Sequence, residues 1–583
     1  MAYDYFAMVT NWMKPGVRAL AVACGIGLAA AAAADQPVRP AVHAAHEMVV
    51  AANPLAAEAG LDVLRQGGNA VDAAVAVQMV LALVEPQSSG VGGGGFLLSF
   101  DGKSRTLTTY DGRETAPAAA TPDMFLHPDG TPMEFEEAVV GGLSVGVPGA
   151  VRMLERVHRE HGRLPWAQLF DPAIKLAEEG FPVSPRLHEE LADDEHLKRI
   201  PAAAAYFYFY QADGTPLPVG TLLRNPALAE TLRSIAKDGA DALYRGRIAD
   251  DIVAAVTTSP LHPTPMTQAD LAGYEAKVRE PVCAPYRQWK VCSMAPPSSG
   301  GIAILQMLLL LERFDLKALT PESVPAVHLI AEAGRLAFAD RDRYVADPDK
   351  LAVPTDQLLG EAYLQERSQL IQTDHDLGKA TAGTLKQQSG WAAPLPQVEP
   401  VSTSQISIVD GEGNAVSFTT TIEGPFGSRL FVDGFLLNNE LTDFSFKPER
   451  DGQPVANRVE PGKRPRSSMA PTMVFDQQGR LVLVVGSPGG ASIIPFVAKT
   501  LIATLDWGID PQAAADLPNF GNRNGATELE KGTALEALAP QLQAMGHEVK
   551  LTDMTSGVAV IAVTPEGLVG GADSRREGVA VGD

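Results

Sequence analysis

A threonine hydroxyl is a poor nucleophile until a base takes its proton. Thr403 stands at the head of the strand-like run Ser404-Gln405-Ile406-Ser407-Ile408-Val409. Ser404, Ile406 and Ile408 project to one side, Gln405, Ser407 and Val409 to the other. Asp410-Gly411-Glu412-Gly413-Asn414 is turn chemistry, and Ala415 to Thr421 is a second β-rich run that returns along the first. Cutting the bond between Ser402 and Thr403 would give Thr403 a free α-amine. Such an amine titrates at about 8, against roughly 10.4 for a lysine, so a sizeable part of it is neutral at neutral pH. One residue would then hold both nucleophile and base, a variant of triad logic. The bland alternative is a threonine that opens an ordinary strand. The segment alone does not choose between them.

Other residues bear on the choice. Leu481 to Val485 reads as a buried strand that runs into Gly486-Ser487-Pro488-Gly489-Gly490 and then a helix from about Ala491. Strand, glycine turn and helix leave backbone N–H groups aimed at one spot. No Lys-Ser/Thr pair follows, so the turn suits an oxyanion better than a phosphate. Arg113 lies at the end of the strand Thr106 to Tyr110 and can grip a carboxylate with two parallel hydrogen bonds. It can equally form an ion pair with Glu114 or Asp111. Gly92-Gly93-Gly94-Gly95 implies close backbone approach. Pro296-Pro297-Ser298-Ser299-Gly300-Gly301 breaks the chain before a helix, which it either caps or uses as a source of donors.

These groups need a large scaffold, and 583 residues at 45% hydrophobic supply one. Lys plus Arg number 47 against 70 for Asp plus Glu, a net charge of −23, which argues against nucleic acid or an anionic membrane surface as a partner. Asn53, Pro54 and Gly67-Gly68 bracket a helix over 53–68. Asn69 caps the next, through about Val84, whose apolar residues run nearly all round and predict burial on several sides. From about 150 to 380 the chain is mostly helical, with helix-like spacing over 148–160, 167–179, 226–237, 247–256, 302–314 and 324–345. Residues 374–402 are polar and irregular, as expected of a segment ahead of a cleavage point.

Residues 1–34 read as a signal peptide: Lys14 and Arg18 precede the apolar run Ala19 to Ala34, which ends in small residues. The alternative is a membrane anchor, for which the run is short and alanine-rich. Export to a periplasm or to the medium is the expectation. Of the 3 cysteines, only Cys283 and Cys292 would survive removal of the leader. They flank Tyr286-Arg287-Gln288-Trp289, a hairpin turn, and are either a cross-strand disulfide or two buried thiols. Neither their number nor their spacing suggests a metal site.

Together these stretches resemble the γ-glutamyltranspeptidase (glutathione hydrolase) family of the N-terminal-nucleophile hydrolase superfamily. The matching segments are Gly67–Ala76 (GGNAVDAAVA), Val84–Phe96 (VEPQSSGVGGGGF), Arg113-Glu114, Met294–Gly301 (MAPPSSGG), Ala339–Asp349 (ADRDRYVADPD), Leu437–Phe444 (LNNELTDF), Lys463–Thr472 (KRPRSSMAPT) and Gly486–Gly490 (GSPGG). They run in order from about residue 40 to the C-terminus.

The resemblance implies a four-layer αββα sandwich with extra helices. It implies self-cleavage before Thr403 into a large subunit (35–402) and a small one (403–583) that stay together as a heterodimer. Thr403 would be the nucleophile, Thr421 would help activate it, and Gly489 and Gly490 would supply the oxyanion amides. Arg113, Ser467 and Ser468 would hold the α-carboxylate of a γ-glutamyl group, with Glu440 and Asp443 on its α-ammonium. Glutathione and related compounds would be donors, water or an amino-acid or peptide amine the acceptor, and no cofactor is called for. Two departures stand out. Glu423 replaces the family's usual Asn near the ammonium site, and the segment between Phe444 and Ser467 is short and lacks a lid tyrosine. The competing readings are a related acylase that removes a glutaryl chain from a β-lactam nucleus, and a non-catalytic exported binding protein of the same fold.

Overall fold

The computed structural model describes residues 39–199, 204–386, 391–394 and 402–583. The expected leader, 1–34, lies outside them, as do 387–390 and 395–401 of the polar stretch ahead of Thr403. No helix among the described residues is long and apolar enough to cross a membrane.

The two runs after Thr403 form the expected hairpin. Ser404–Val409 pairs antiparallel with Ala415–Thr421, from Ser404 opposite Thr420 to Val409 opposite Ala415. The hairpin lies inside a seven-stranded antiparallel sheet, with Met48–Ala51 on one flank and Gly94–Asp101 on the other. A second seven-stranded sheet is centred on Leu481–Gly486, between Thr472–Phe475 and Ala559–Thr564. The two sheets face each other. Helices Pro54–Arg65 and Ala70–Val84 cover the outer face of the first. Gly300–Leu311, Val324–Tyr344 and Ile493–Leu505 form the layer outside the second. This is the αββα sandwich.

Alternation along the hairpin sorts side chains between two buried environments rather than between core and water. Ile406, Ile408, Val416 and Phe418 join the core beneath the helices. The polar face turns toward the second sheet and is satisfied there. Ser407 Oγ donates to the Ala559 carbonyl at 2.9 Å and Ser417 Oγ to that of Val485 at 3.1 Å. Gln405 joins Ser417 and Thr419 by its amide. Buried hydroxyls and amides need such partners.

Ala70–Val84 is buried along its whole length and starts with a capping box between Asn69 and Asp72. It is wedged between the sheet and the extra helices Ala150–His161 and Asp171–Glu179. The spacing over 167–179 predicts one helix. The structure breaks it into a 3-10 turn, Trp166–Phe170, and a helix that starts at Asp171, because Pro172 has no N–H to give and fits only a first turn. Phe435–Leu436 is a short strand. Beyond it, Asn438 and Asn439 send their side chains across to other loops. Val282–Tyr286 and Trp289–Ser293 form a hairpin in which Cys283 faces Cys292, and the two sulfurs are bonded.

Candidate active site

Hairpin register brings the two threonines together. With Ser404 opposite Thr420, Thr403 falls beside Thr421, and their hydroxyl oxygens lie 3.1 Å apart. Thr421 Oγ1 also accepts from the Glu423 N–H at 2.8 Å, so its own proton is free to be shared with Thr403. Beneath this pair the chain passes through the glycine run. A Cβ on Gly93 would lie 2.0 Å from the Thr421 carbonyl oxygen, so no other residue fits there.

Thr403 has φ +89°, the left-handed region, which a β-branched residue enters only under strain of about 1–3 kcal/mol. Hydrogen bonds hold it on both sides. The Ser402 carbonyl accepts from the Gly489 N–H at 3.2 Å, and Ser402 Oγ donates to the Gln87 carbonyl at 3.0 Å. The Thr403 carbonyl accepts from Arg576 at 3.0 Å. Ser404 Oγ donates to Glu85 at 2.8 Å. Burial raises the Glu85 carboxyl above its ordinary range and lowers the Arg576 guanidinium to about 9. Gly489 has φ +137°, and Gly490 follows it at the head of a short 3-10 turn and lines the cavity.

Arg113 points into the same cavity. Its guanidinium pairs with both Glu440 and Asp443 and donates to the carbonyls of Pro465 at 3.1 Å and Arg466 at 3.0 Å. The neighbours that sequence offers as ion-pair partners are used otherwise. Asp111 binds Arg279 and the Arg113 backbone N–H. Glu114 is buried with no hydrogen-bond partner on either carboxylate oxygen, and burial pushes it up to about 8. The expected two poles, Arg on one side and carboxylates on the other, are therefore in direct contact here. Buried charges are retained only where they pair, and these do.

Ser467 and Ser468 reach the cavity because the 296–301 loop holds their backbone. Ser299 donates twice to the Ser467 carbonyl, and the Ser467 N–H donates to Pro297. Ser298 donates to the Met469 carbonyl at 2.6 Å. Glu423 accepts from the Asn439 amide at the rim. The cavity where Arg113, Thr403, Thr421, Glu423, Glu440, Asp443, Ser467, Ser468 and Gly490 meet is about 20 Å³. Asp443 also lines a cleft of about 760 Å³ alongside it.

Three participants escape a reading of the sequence. Arg576 comes from the C-terminal loop, with no local pattern to mark it. Arg341 lies in a quoted segment without a role, yet donates to Ser468 Oγ at 2.7 Å and Ser299 Oγ at 2.9 Å. Asn439 is a bare polar residue until Glu423 is seen beside it. Spacing also misses the buried group His328, Glu332 and His547, close enough to share an ion. Its polar atoms are already used: His328 bonds His547 and Gln372, His547 bonds Thr527, and Glu332 bonds Arg335 and Leu377.

The sequence profile of the gamma-glutamyltranspeptidase family matches residues 56–583. The chain belongs to that family. It is 40% identical over 548 residues to the glutathione hydrolase proenzyme of Bacillus subtilis strain 168, covering 92% of this chain and 91% of the relative. Among solved structures it superposes on the cephalosporin acylase of Bacillus halodurans with TM-score 0.79 and 29% identity, over 94% of this chain and 97% of that one. It superposes on the gamma-glutamyltranspeptidase of Helicobacter pylori with TM-score 0.54 and 37% identity, over 58% of this chain and 95% of that one. Like other gamma-glutamyltranspeptidase-family chains, this one is an N-terminal-nucleophile hydrolase by fold.

Proposed function

We propose that this protein is a γ-glutamyltransferase and glutathione hydrolase made as a precursor, which cuts itself between Ser402 and Thr403. The observation that carries the reading is the placement of the Thr403 hydroxyl 3.1 Å from Thr421 Oγ1, with the Gly489 N–H already on the Ser402 carbonyl. In maturation, Thr403 Oγ attacks the Ser402 carbonyl carbon. The C–N bond breaks, the nitrogen becomes the Thr403 amine, and water hydrolyses the resulting ester. Cleavage relieves the strained φ of Thr403 and leaves 35–402 and 403–583 packed as two subunits of one sandwich.

In turnover the free amine takes the hydroxyl proton as Oγ attacks the γ-amide carbonyl. The oxyanion is held by the amides of Gly489 and Gly490. The amine passes the proton to the departing nitrogen, leaving a γ-glutamyl ester on Thr403. Water or an incoming amine then takes the acyl group. Binding requires the Arg113 contacts with Glu440 and Asp443 to open. The donor's carboxylate takes Arg113, Ser467 and Ser468, while its ammonium takes the two carboxylates.

The acylase reading draws on the structural likeness to a cephalosporin acylase. The charges lining the small cavity oppose it. Glu423, Glu440 and Asp443 face a single guanidinium, Arg113, so the cavity suits a group that brings an ammonium. A glutaryl chain brings none. The test is glutamate release from glutathione by the wild type and by Thr403→Ala. The wild type should run as two fragments and release glutamate. Thr403→Ala should stay one chain and release none; an active, uncut variant would overturn the assignment.

A further inference from the structure

The turn Glu85-Pro86-Gln87-Ser88-Ser89 gives no side chain to the proposed chemistry, yet it grips the chain around both threonines. Just ahead of Thr403, the Gln87 carbonyl accepts from Ser402 Oγ at 3.0 Å. Just after it, Glu85 Oε2 accepts from Ser404 Oγ at 2.8 Å, and Ser89 Oγ donates to Ser404 Oγ at 3.3 Å. Just after Thr421, the Ile422 N–H donates to the Ser88 carbonyl at 3.1 Å. Glu85 costs stability where it stands. It is fully buried, and it closes helix Ala70–Val84 at the end where the helix dipole disfavours an anion. Burial raises its carboxyl, and the guanidiniums of Arg186 and Arg576 oppose the rise. Arg186, from helix Pro185–Asp193, stands 3.9 Å from Glu85 Oε1, too far for a hydrogen bond. Glu85 Oε1, Arg186 Nε and Arg576 Nε are all buried and make no hydrogen bond among the described residues, so their charges, rather than direct bonds, balance one another. Arg576 in turn donates to the Thr403 carbonyl at 3.0 Å. The peptide group joining Thr403 to Ser404 is therefore fixed at its carbonyl by a buried cation, and at the following side chain by the buried anion that balances that cation.

We propose that Glu85 is a positioning residue for Thr403, the buried anion that fixes the Thr403–Ser404 peptide through Ser404 Oγ and through its balance with Arg186 and Arg576. This role rests on the γ-glutamyl reading above. Glu85 touches no reacting atom and does not line the small cavity. Its hold on Ser404 does not involve the Ser402–Thr403 bond, so it persists when that bond is cut and serves maturation and turnover alike. By contrast, the residue that Gln87 holds parts from Thr403 on cleavage.

The test measures the rate of self-cleavage, kcat and KM for a γ-glutamyl anilide, and the melting temperature, in the wild type, Glu85→Gln, Ser404→Ala and the double variant. Glu85→Gln keeps the shape and an acceptor for Ser404 and removes the charge. Each single variant should slow self-cleavage and lower kcat of the cut enzyme by about tenfold, the scale of one hydrogen bond to a charged group. KM should stay within a factor of about two, since the substrate's own contacts are untouched. The double variant should lose far less than the product of the two single losses, because both changes break one link. Unchanged rates in Glu85→Gln, a rise in KM in place of the fall in kcat, or single losses that multiply in the double variant each overturn the role. So does a lower melting temperature with kcat per folded molecule intact, which is what a purely structural carboxylate would give. If Glu85→Gln does not fold, Ser404→Ala, which loses a single oxygen atom, decides by the same kcat and KM criteria. A wild type that is neither cut nor able to release glutamate from glutathione would mean that the γ-glutamyl reading has failed, and the role of Glu85 with it. An active wild type with unimpaired variants overturns the positioning role alone.

Discussion

The backbone N–H of Gly489 donates to the carbonyl oxygen of Ser402 at 3.2 Å. That carbonyl belongs to the bond that maturation would break. On the proposed mechanism, the amide that would hold the oxyanion of turnover is thus already engaged on the peptide of the precursor, and one hole would serve two reactions. Gly489 is needed there twice over, because its φ is +137° and an added Cβ would meet the Phe496 ring at 2.7 Å. Gly489→Ala is expected to slow self-cleavage and donor turnover in parallel, each by about 10²–10³-fold, the usual effect of losing an oxyanion donor. The rates of small-fragment appearance and of anilide turnover test it. Loss of one with the other intact would separate the two holes.

Thr421 Oγ1 lies 3.1 Å from the hydroxyl of Thr403, the proposed nucleophile. Thr421→Ala should lower both rates by about 10²-fold, the low end for a positioned proton-transfer partner. Thr421→Ser keeps a hydroxyl and should recover most of that loss. A Ser variant as impaired as Ala would mean that the methyl, not the hydroxyl, matters.

Arg113 ties two buried carboxylates together. Arg113→Gln leaves Glu440 and Asp443 facing each other, so stability should fall by about 3–5 kcal/mol, as for other broken buried pairs. Thermal denaturation reads this directly. In the fraction that folds, KM for γ-glutamyl donors should rise far more than kcat falls, because on the proposed reading the residue holds the donor's carboxylate and not the reacting bond.

Arg576 donates to the backbone carbonyl of Thr403, the proposed nucleophile, at 3.0 Å. On the proposed mechanism it positions Thr403, and Arg576→Gln is expected to lower kcat by about tenfold, since loss of one hydrogen bond is worth on the order of 1 kcal/mol. KM should stay within a factor of about two by the same reasoning. A rise in KM without loss of kcat would place it in substrate binding instead.

Glu114 predicts a pH dependence of stability. Burial raises its folded pKa from 4.5 to about 8. Between those values the folded state binds the extra proton, so this group's contribution is complete below about 4.5 and is lost as pH rises to about 8. Glu114→Gln removes the titration. Its melting temperature should gain on that of the wild type as pH goes from 5 to about 8.5, on the same linkage. Parallel curves for the two proteins would show that Glu114 does not carry the effect.

The residues after Thr403 determine by themselves much of what surrounds them. Alternation and turn chemistry specify the hairpin, and its register alone sets Thr403 against Thr421. Asn69 and the apolar run after it specify a buried helix, and the ordered motifs specify the family. These are local properties, legible because strand and helix periods are written in neighbouring residues. The tertiary structure decided what those elements face. Periodicity assigned Gln405 and Ser407 to one side of a strand, but only sheet-on-sheet packing made that side interior. Arg113 meets Glu440 across 327 positions, and Arg576 reaches Thr403 across 173. Such contacts follow from where the folded backbone carries each side chain and from the cost of leaving a buried charge alone, and neither is visible in the spacing of letters.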